Sequence, residues 1–355
     1  MSMSVALLLI FAVLILLGVP IAVSLGVASA VTLVLYTEIP INLMAQSMFS
    51  SMNSFIMVAV PLFILAGVLM DEGGVGEKIY DFANAVVGWM PGGLGQVNVV
   101  GSLVFAGMSG SNVADIASVG AIEISQMSQN GYPKEYAASL TLLTSVLASI
   151  VPPSILMVVA GSTANESIGK LMIAGLIPGV LIAAAFMVYN HFYCVKHNYG
   201  IRVPFSLRNC IQKVLVAIPA LVVPILLLYG IVGGFFTPTE AAGVAVAYCL
   251  AVSLLVYRQI DWRKLSYYFY KTAKMTGTIL FVAVTAKVAG WIFEFDGLPA
   301  RVAAFLTEVT DSPTLIMLLI ALFLIVVGMF MDATASLFLL IPILLPPVKA
   351  VGIDP

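Results

Sequence analysis

The chain of 355 residues is 61% hydrophobic and 9% charged, with a formal net charge of −2 and a mean hydropathy of +1.12. A soluble domain carries roughly 25% charged residues, so an ordinary soluble protein is excluded. The slightly acidic balance excludes the basic footprint of a nucleic-acid partner.

Charge-free runs cover 1–37, 39–70, 136–165, 171–195, 214–239, 241–257 and 312–331. A helix needs about 20 apolar residues to cross the hydrocarbon, so most of these runs predict spanning helices. The first lacks a basic flank and a small-residue cleavage site, which predicts a retained helix rather than a removed signal peptide.

The segment 96–127 does not fit a simple span. Its two limbs, about 12 to 14 residues each, reach only about 20 Å at 1.5 Å per residue, against a core of about 30 Å. The spacing predicts a re-entrant hairpin with its tip at GMSGSN. Non-helical backbone at membrane depth survives only where it is buried in protein or lines a wet cavity, so the tip faces away from lipid. Asp115 follows the tip, and a carboxylate at that depth costs about 2.5–3.5 kcal/mol on insertion scales and is usually functional. Glu123, Glu166 and Glu240 lie nearer predicted loops and read as structural.

The run 137–164 contains Pro152 and Pro153 at its centre. Each proline lacks an N–H and collides with the carbonyl four residues back, which predicts a broken helix with unpartnered carbonyls near Ala148 and Ser149. Oxygen ligands suit a hard cation, and broken helices supply them in transporter architectures. Ser145, Ser149 and Ser154 stand beside the break, and Ser109, Ser111 and Asn112 on the hairpin tip. Where the helix restarts, its free N–H groups and positive dipole end favour an anion such as a substrate carboxylate.

The spans 171–195, 214–236 and 237–257 follow. Lys196, Arg202, Arg208 and Lys213 form one basic loop, and Arg258, Arg263, Lys264, Lys271 and Lys274 another. Both are cytoplasmic by the positive-inside rule, which sets the FFTPTEAA turn outside and the SQNGYPKEY loop inside. Cys194, Cys210 and Cys249 show no metal or disulfide spacing and read as packing or surface thiols. His191 and His197 read as interfacial.

After a span at 275–293, the segment 312–349 carries GMFMDATAS and starts from the opposite side. An offset of 221 matches Gly107 to Gly328, Met108 to Met329, Ala114 to Ala335, Ile122 to Ile343 and Gly131 to Gly352. An offset of 223 continues upstream, matching Gly67 to Gly290, Asp71 to Glu294, Gly74 to Gly297 and Lys78 to Arg301. Paired interruptions at corresponding positions of two inverted repeats point to a central substrate and ion site.

Plainer readings exist: paired prolines can simply kink a helix, and small residues can serve helix packing. The repeat and the opposed tips favour transport over these. An intramembrane aspartyl protease needs two facing acids that share a proton. Here Asp115 pairs with Ser336 in the repeat and Asp332 with Ser111, and no HExxH or GxSxG motif is present. A passive channel does not need opposed re-entrant loops around a broken helix.

The strings GMSGSNVAD, GYPKEYAASLTLLTSVLASIVPPS, IGKLMIAGLIPG, GGFFTPTEAA and MDATASLFLLIPILLPPVKAVGIDP are similar to the large membrane subunit of tripartite ATP-independent periplasmic transporters. The likeness runs from near residue 1 to the last residue. It implies an all-α polytopic membrane protein, an inverted-repeat elevator with two re-entrant hairpins and broken helices, and no enzyme. The implied function is sodium-driven uptake of organic acids such as C4-dicarboxylates or sialic acid in a bacterial inner membrane. No cofactor is implied beyond Na+ as the coupling ion. The implied partners are a periplasmic substrate-binding protein, a small four-helix membrane subunit and membrane lipid. A free-standing sodium-coupled carboxylate carrier is the alternative.

On this resemblance, 1–95 holds scaffold helices and an arm helix, and 96–170 the first half of the transport domain. Residues 171–311 hold a connecting span and the second-repeat scaffold with its arm helix, and 312–355 the second hairpin. The candidate ion-binding residues are Ser109, Ser111, Asn112, Ser149, Val151, Pro152, Gly328, Asp332 and Thr334. The candidate substrate-binding residues are Ser145, Ser154, Asp115 and Ala333. The second tip reads Phe330, Met331 where the first reads Ser109, Gly110, so a cation there leans on carbonyls such as that of Gly328. The repeat also implies a second broken helix and one further span beyond GIDP, roughly 70 residues on the family pattern, on this chain or another.

Overall fold

The computed structural model describes residues 2–200, 204–310 and 312–354, with the side chains of Met108 and Ser109 outside the description. Arg202 and the Ser109 side chain, both invoked above, therefore lie outside the described residues. Among the described residues the secondary structure is entirely helical.

The N-terminal run forms two short helices rather than one span, α1 (Met3–Leu16) and α2 (Ile21–Tyr36), separated at Gly18 and Pro20. Next come α3 (Asn42–Met52), α4 (Ala59–Glu72) and α5 (Val75–Val87). The hairpin segment holds α6 (Gly93–Ser109), a one-turn α7 (Asn112–Asp115), a π-helical turn at Ile116–Gly120 and α8 (Ala121–Gln129). The proline-broken segment holds α9 (Lys134–Ser145), α10 (Leu147–Ile150) and α11 (Ile155–Ala164). Long helices follow: α12 (Ile168–His197), α13 (Leu207–Val232), α14 (Pro238–Ala251) and α15 (Leu265–Phe295). The chain then forms α16 (Leu298–Val309), α17 (Pro313–Gly328) and α18 (Ala333–Ala350).

Six described helical segments are long and apolar enough to cross a membrane, and the pair Lys134–Ile150 and Ile155–Ala164, bent by 44°, makes a seventh if taken as one span. The chain is a multi-pass membrane protein. Local chemistry sets where these helices begin. Ser167 and Ser206 accept a backbone N–H at the starts of α12 and α13, which satisfies one of the orphan donors of a helix end. Thr237 and Glu240 close a capping box around Pro238 at the start of α14, a polar stop inside the FFTPTEAA turn.

Two lengths depart from the sequence expectation. The limbs of the first hairpin are longer than 12 to 14 residues: α6 alone has 17, or about 25 Å at 1.5 Å per residue. The helix begins at Gly93 because Gly92, in a left-handed conformation, turns the chain there. Helix α15 starts ten residues before 275 and runs for 31 residues. Lys271 and Lys274, expected in a loop, thus lie on its first turns.

The chain divides into two compact units, one of Val58–Val158 and Ser167–Ala273, the other of Met1–Met57, Val159–Glu166 and Lys274–Pro355. In the first, α4 packs on α14, and just past the end of α14 the buried Ser253 hydroxyl donates to the Leu69 carbonyl. Lys271 joins Asp71 and Glu72 at the end of α4, and Lys213 on α13 meets Asp81 on α5 at 2.6 Å. In the second, the Ser4 N–H at the start of α1 donates to Asp296 at 3.0 Å, and Arg301 pairs with the same carboxylate. Burial alone raises the Asp296 pKa, but the Ser4 donors and the Arg301 guanidinium outweigh it and bring it down to about 2. Lys349 on α18 meets Glu166 at 2.6 Å.

One glycine pair matched by the offset of 223 takes the same conformation in the two units. Gly74 caps α5 at φ 74°, ψ 17°, and its counterpart Gly297 caps α16 at φ 70°, ψ 24°. Only glycine enters this left-handed region without steric cost.

Candidate functional site

The first hairpin tip turns on Gly110, at φ 58°, whose N–H returns to the Ala106 carbonyl. Ser111 then caps α7, its hydroxyl accepting from the Ala114 N–H. The return limb lies against α6, with Gly101 facing Val119 and Glu123. One more residue per turn in the π segment rotates the face that α8 presents after Asp115.

The second component is the break between α10 and α11. Val151 is extended, Pro152–Pro153 is cis, and Val151, Pro152, Pro153 and Ser154 are all buried. The Ser154 hydroxyl donates to the Ser149 carbonyl at 3.0 Å. The Ser149 carbonyl, expected to be free, is thus capped from across the break. The Ser145 hydroxyl donates to the Leu142 carbonyl, one helical turn back.

Tip and break are joined. The Ser149 hydroxyl donates to the Asn112 side-chain oxygen at 2.6 Å. A Cβ built on Gly110 falls 2.8 Å from the Ile155 nitrogen and 3.1 Å from the Pro153 carbonyl oxygen, and one on Gly107 falls 3.2 Å from the Pro152 carbonyl oxygen. The backbone of the tip therefore rests on the first N–H of α11 and on the carbonyls of the break. Of the expected residues, Ser111, Asn112, Ser149, Val151, Pro152 and Ser154 come together in this unit.

A buried polar ladder that the sequence reading missed stands behind the junction. Asn98 on α6 donates to Thr141 at 2.7 Å, Thr144 on α9 donates back to Asn98 at 2.7 Å, and Ser102 donates to Thr144 at 3.3 Å. All four side chains are buried. Their spacing, 98 to 102 and 141 to 144, marks facing helix stripes, but polar residues scattered through apolar runs gave no signal of a shared partner.

Asp115 is 1% exposed and, among the described residues, neither of its oxygens forms a hydrogen bond, although the Ser102 hydroxyl lies beside it. It is walled in behind the tip. Glu123, expected near a loop, is also 1% exposed and, among the described residues, without a hydrogen-bond partner at either oxygen, because the limb folds against Gly101.

The second tip belongs to the other unit. Asp332 caps α18, accepting from the Thr334 N–H at 2.9 Å, and the Ser336 hydroxyl donates to the Asp332 carbonyl at 2.9 Å. Asp332 and Ala333 are exposed, and Gly328 has open space where a Cβ would stand. Ser111 and Asp332, matched by the repeat, thus do the same job of starting a helix just past a turn. Carboxylate and hydroxyl both accept from backbone N–H groups, so the cap survives the exchange of residue type.

The arrangement offers hydroxyl, amide and carbonyl oxygens around a broken helix, with a helix N-terminus on its other side. These are the groups that hold a hard cation and a carboxylate.

A family model described as the tripartite ATP-independent periplasmic transporter, DctM component, matches residues 8–355. The sialic acid TRAP transporter large permease protein SiaM of Vibrio cholerae is 38% identical over 315 residues, covering 89% of this chain and 74% of the relative. The 2,3-diketo-L-gulonate large permease protein YiaN of Escherichia coli and the C4-dicarboxylate large permease protein DctM of Pseudomonas aeruginosa are each 35% identical, with the same coverage.

Proposed function

The chain belongs to the DctM component family of tripartite ATP-independent periplasmic transporters, and from that membership we propose that it carries organic acid anions inward, coupled to sodium, in a bacterial inner membrane. As a member it is a transporter permease subunit. Its substrate is handed over by a periplasmic binding protein, and a small membrane subunit braces it.

The observation that carries the reading is the junction of Asn112 with Ser149 and of Gly110 with Ile155. Side-chain and carbonyl oxygens gather there at a helix break, and a sodium ion needs such oxygens. The α11 N-terminus and the hydroxyls nearby suit the substrate carboxylate. Asp332, Thr334 and the Gly328 carbonyl form the corresponding cation ligands at the second tip. Moving one charge across 100 mV is worth about 2.3 kcal/mol, so two or more sodium ions with one monoanion would concentrate the substrate strongly. The hairpins act as re-entrant elements that move with the broken helix in an elevator stroke.

Uptake into proteoliposomes tests this, using labelled sialic acid and a C4-dicarboxylate, with and without an inward sodium gradient and a binding protein. Uptake that needs both supports the proposal. Uptake with sodium alone indicates a free-standing carrier, and none with either acid removes these two as cargo.

A further inference from the structure

The second unit holds a cavity of about 430 Å³ that the hairpin site does not use. One wall is a single face of α15 that carries Lys287, Trp291 and Glu294, and other walls include Ser54, Ser162 and Asn165. The volume lies within the roughly 300–1,000 Å³ of small-molecule pockets.

Lys287 is the unusual member. It stands well inside the apolar segment Trp262–Phe295, where a cation is costly and usually marks a substrate or ion path. Among the described residues it forms no ion pair or hydrogen bond. It is exposed although Val284, Ala286 and Val288 beside it are buried, so its ammonium opens toward the cavity. Ser54, Ser162 and Asn165 make no side-chain hydrogen bond among the described residues, which leaves their donors available to a guest.

Glu294 lies seven residues beyond Lys287 on the same face, about 10 Å along the axis at 1.5 Å per residue. The cavity is therefore cationic at one end and anionic at the other, with Trp291 between them along the helix. A dicarboxylate that placed one acid on Lys287 would push its second toward Glu294. A monocarboxylate with hydroxyl groups would instead donate to Glu294 and to the serine oxygens.

We propose that the cavity around Lys287 is a binding site for a hydroxylated monocarboxylic acid, with Lys287 holding the carboxylate and Glu294 rejecting dicarboxylates. The assignment rests on the transport reading above for its cargo, and it selects among the acids that reading allows.

The test titrates the intact chain, purified with its membrane partners, with D-gluconate and with succinate while following tryptophan fluorescence. A Trp291→Phe control isolates the cavity signal. Gluconate should bind at least about ten-fold more tightly than succinate, and Lys287→Met should remove about ten-fold of that affinity while Lys287→Arg keeps most of it, as expected for a charge-assisted contact. Glu294→Gln should raise succinate affinity several-fold, and this arm stands alone if Lys287→Met does not fold. Unchanged gluconate binding in Lys287→Met, or no gain for succinate in Glu294→Gln, overturns the site. Sodium-driven uptake in the same preparations separates the two readings. Gluconate bound at Lys287 with no driven uptake of gluconate or of any other organic acid upholds the site and sinks the transport reading, whereas equal gluconate uptake in folded Lys287→Met sinks the site alone.

Discussion

Ser149 in the broken helix donates a hydrogen bond to Asn112 at the hairpin tip, 37 residues away, at 2.6 Å. Two segments that the sequence marks separately, one by its prolines and one by its small polar residues, are thereby a single structure.

This pair gives the first prediction. Ser149→Ala and Asn112→Ala should each cost about 1 kcal/mol of stability, the net worth of a hydrogen bond, and each should raise the sodium concentration needed for half-maximal uptake. Because they share one contact, the double variant should cost less than the sum. Additive losses in thermal melting would show that the contact carries no energy. Unchanged sodium activation would remove both residues from the ion site.

Gly110→Ala should be more harmful than an ordinary left-handed glycine replacement. Gly131, at φ 86° with nothing within 4 Å of a built Cβ, is the control. Its alanine variant should lose only the about 1–2 kcal/mol of left-handed strain. Gly110→Ala adds a methyl 2.8 Å from the Ile155 nitrogen, so it should melt lower than Gly131→Ala and lose uptake. Equal melting temperatures would contradict the close approach of tip and break.

Asp332 separates capping from charge. Asparagine caps a helix about as well as aspartate, and alanine loses about 0.5–2 kcal/mol. Asp332→Asn should therefore melt like the parent yet respond more weakly to sodium, while Asp332→Ala should suffer both ways. Full sodium response in Asp332→Asn would reduce the carboxylate to a cap.

The Asp296 carboxylate predicts an acid limb. Its pKa is brought down to about 2 from an ordinary 3.8, so folding favours the charged form. The resulting stability is present above about pH 4 and is lost as pH falls toward 2. Asp296→Asn should flatten melting temperature against pH across that window and loosen the start of α1. An unaltered acid limb would assign acid sensitivity elsewhere.

The spans were legible because apolar runs of membrane length admit few other folds, and the break because two adjacent prolines cannot continue a helix. The first turn was legible from its glycines and serines, and the glycines at 74 and 297, matched by the offset of 223, both form left-handed caps. The exact limb lengths were not, since Gly92 sets the start of α6 by a local turn within a run of similar residues. Nor was the capping of the Ser149 carbonyl by Ser154, which depends on the path taken across the break. Glu123 reads as a structural residue near a loop, whereas the folded-back limb encloses it. The Asn98–Thr141–Thr144–Ser102 ladder requires two helices in register, which no single stretch of chain encodes.

The contact of Gly110 with the α11 backbone has a mechanical consequence. Where a methyl group cannot fit between two strands of backbone, neither can slide past the other. Tip and break are keyed together, and a force applied to the broken helix is transmitted to the hairpin without slack. A joint of this kind makes tip and break one stiff part, so that the oxygens it presents keep their spacing.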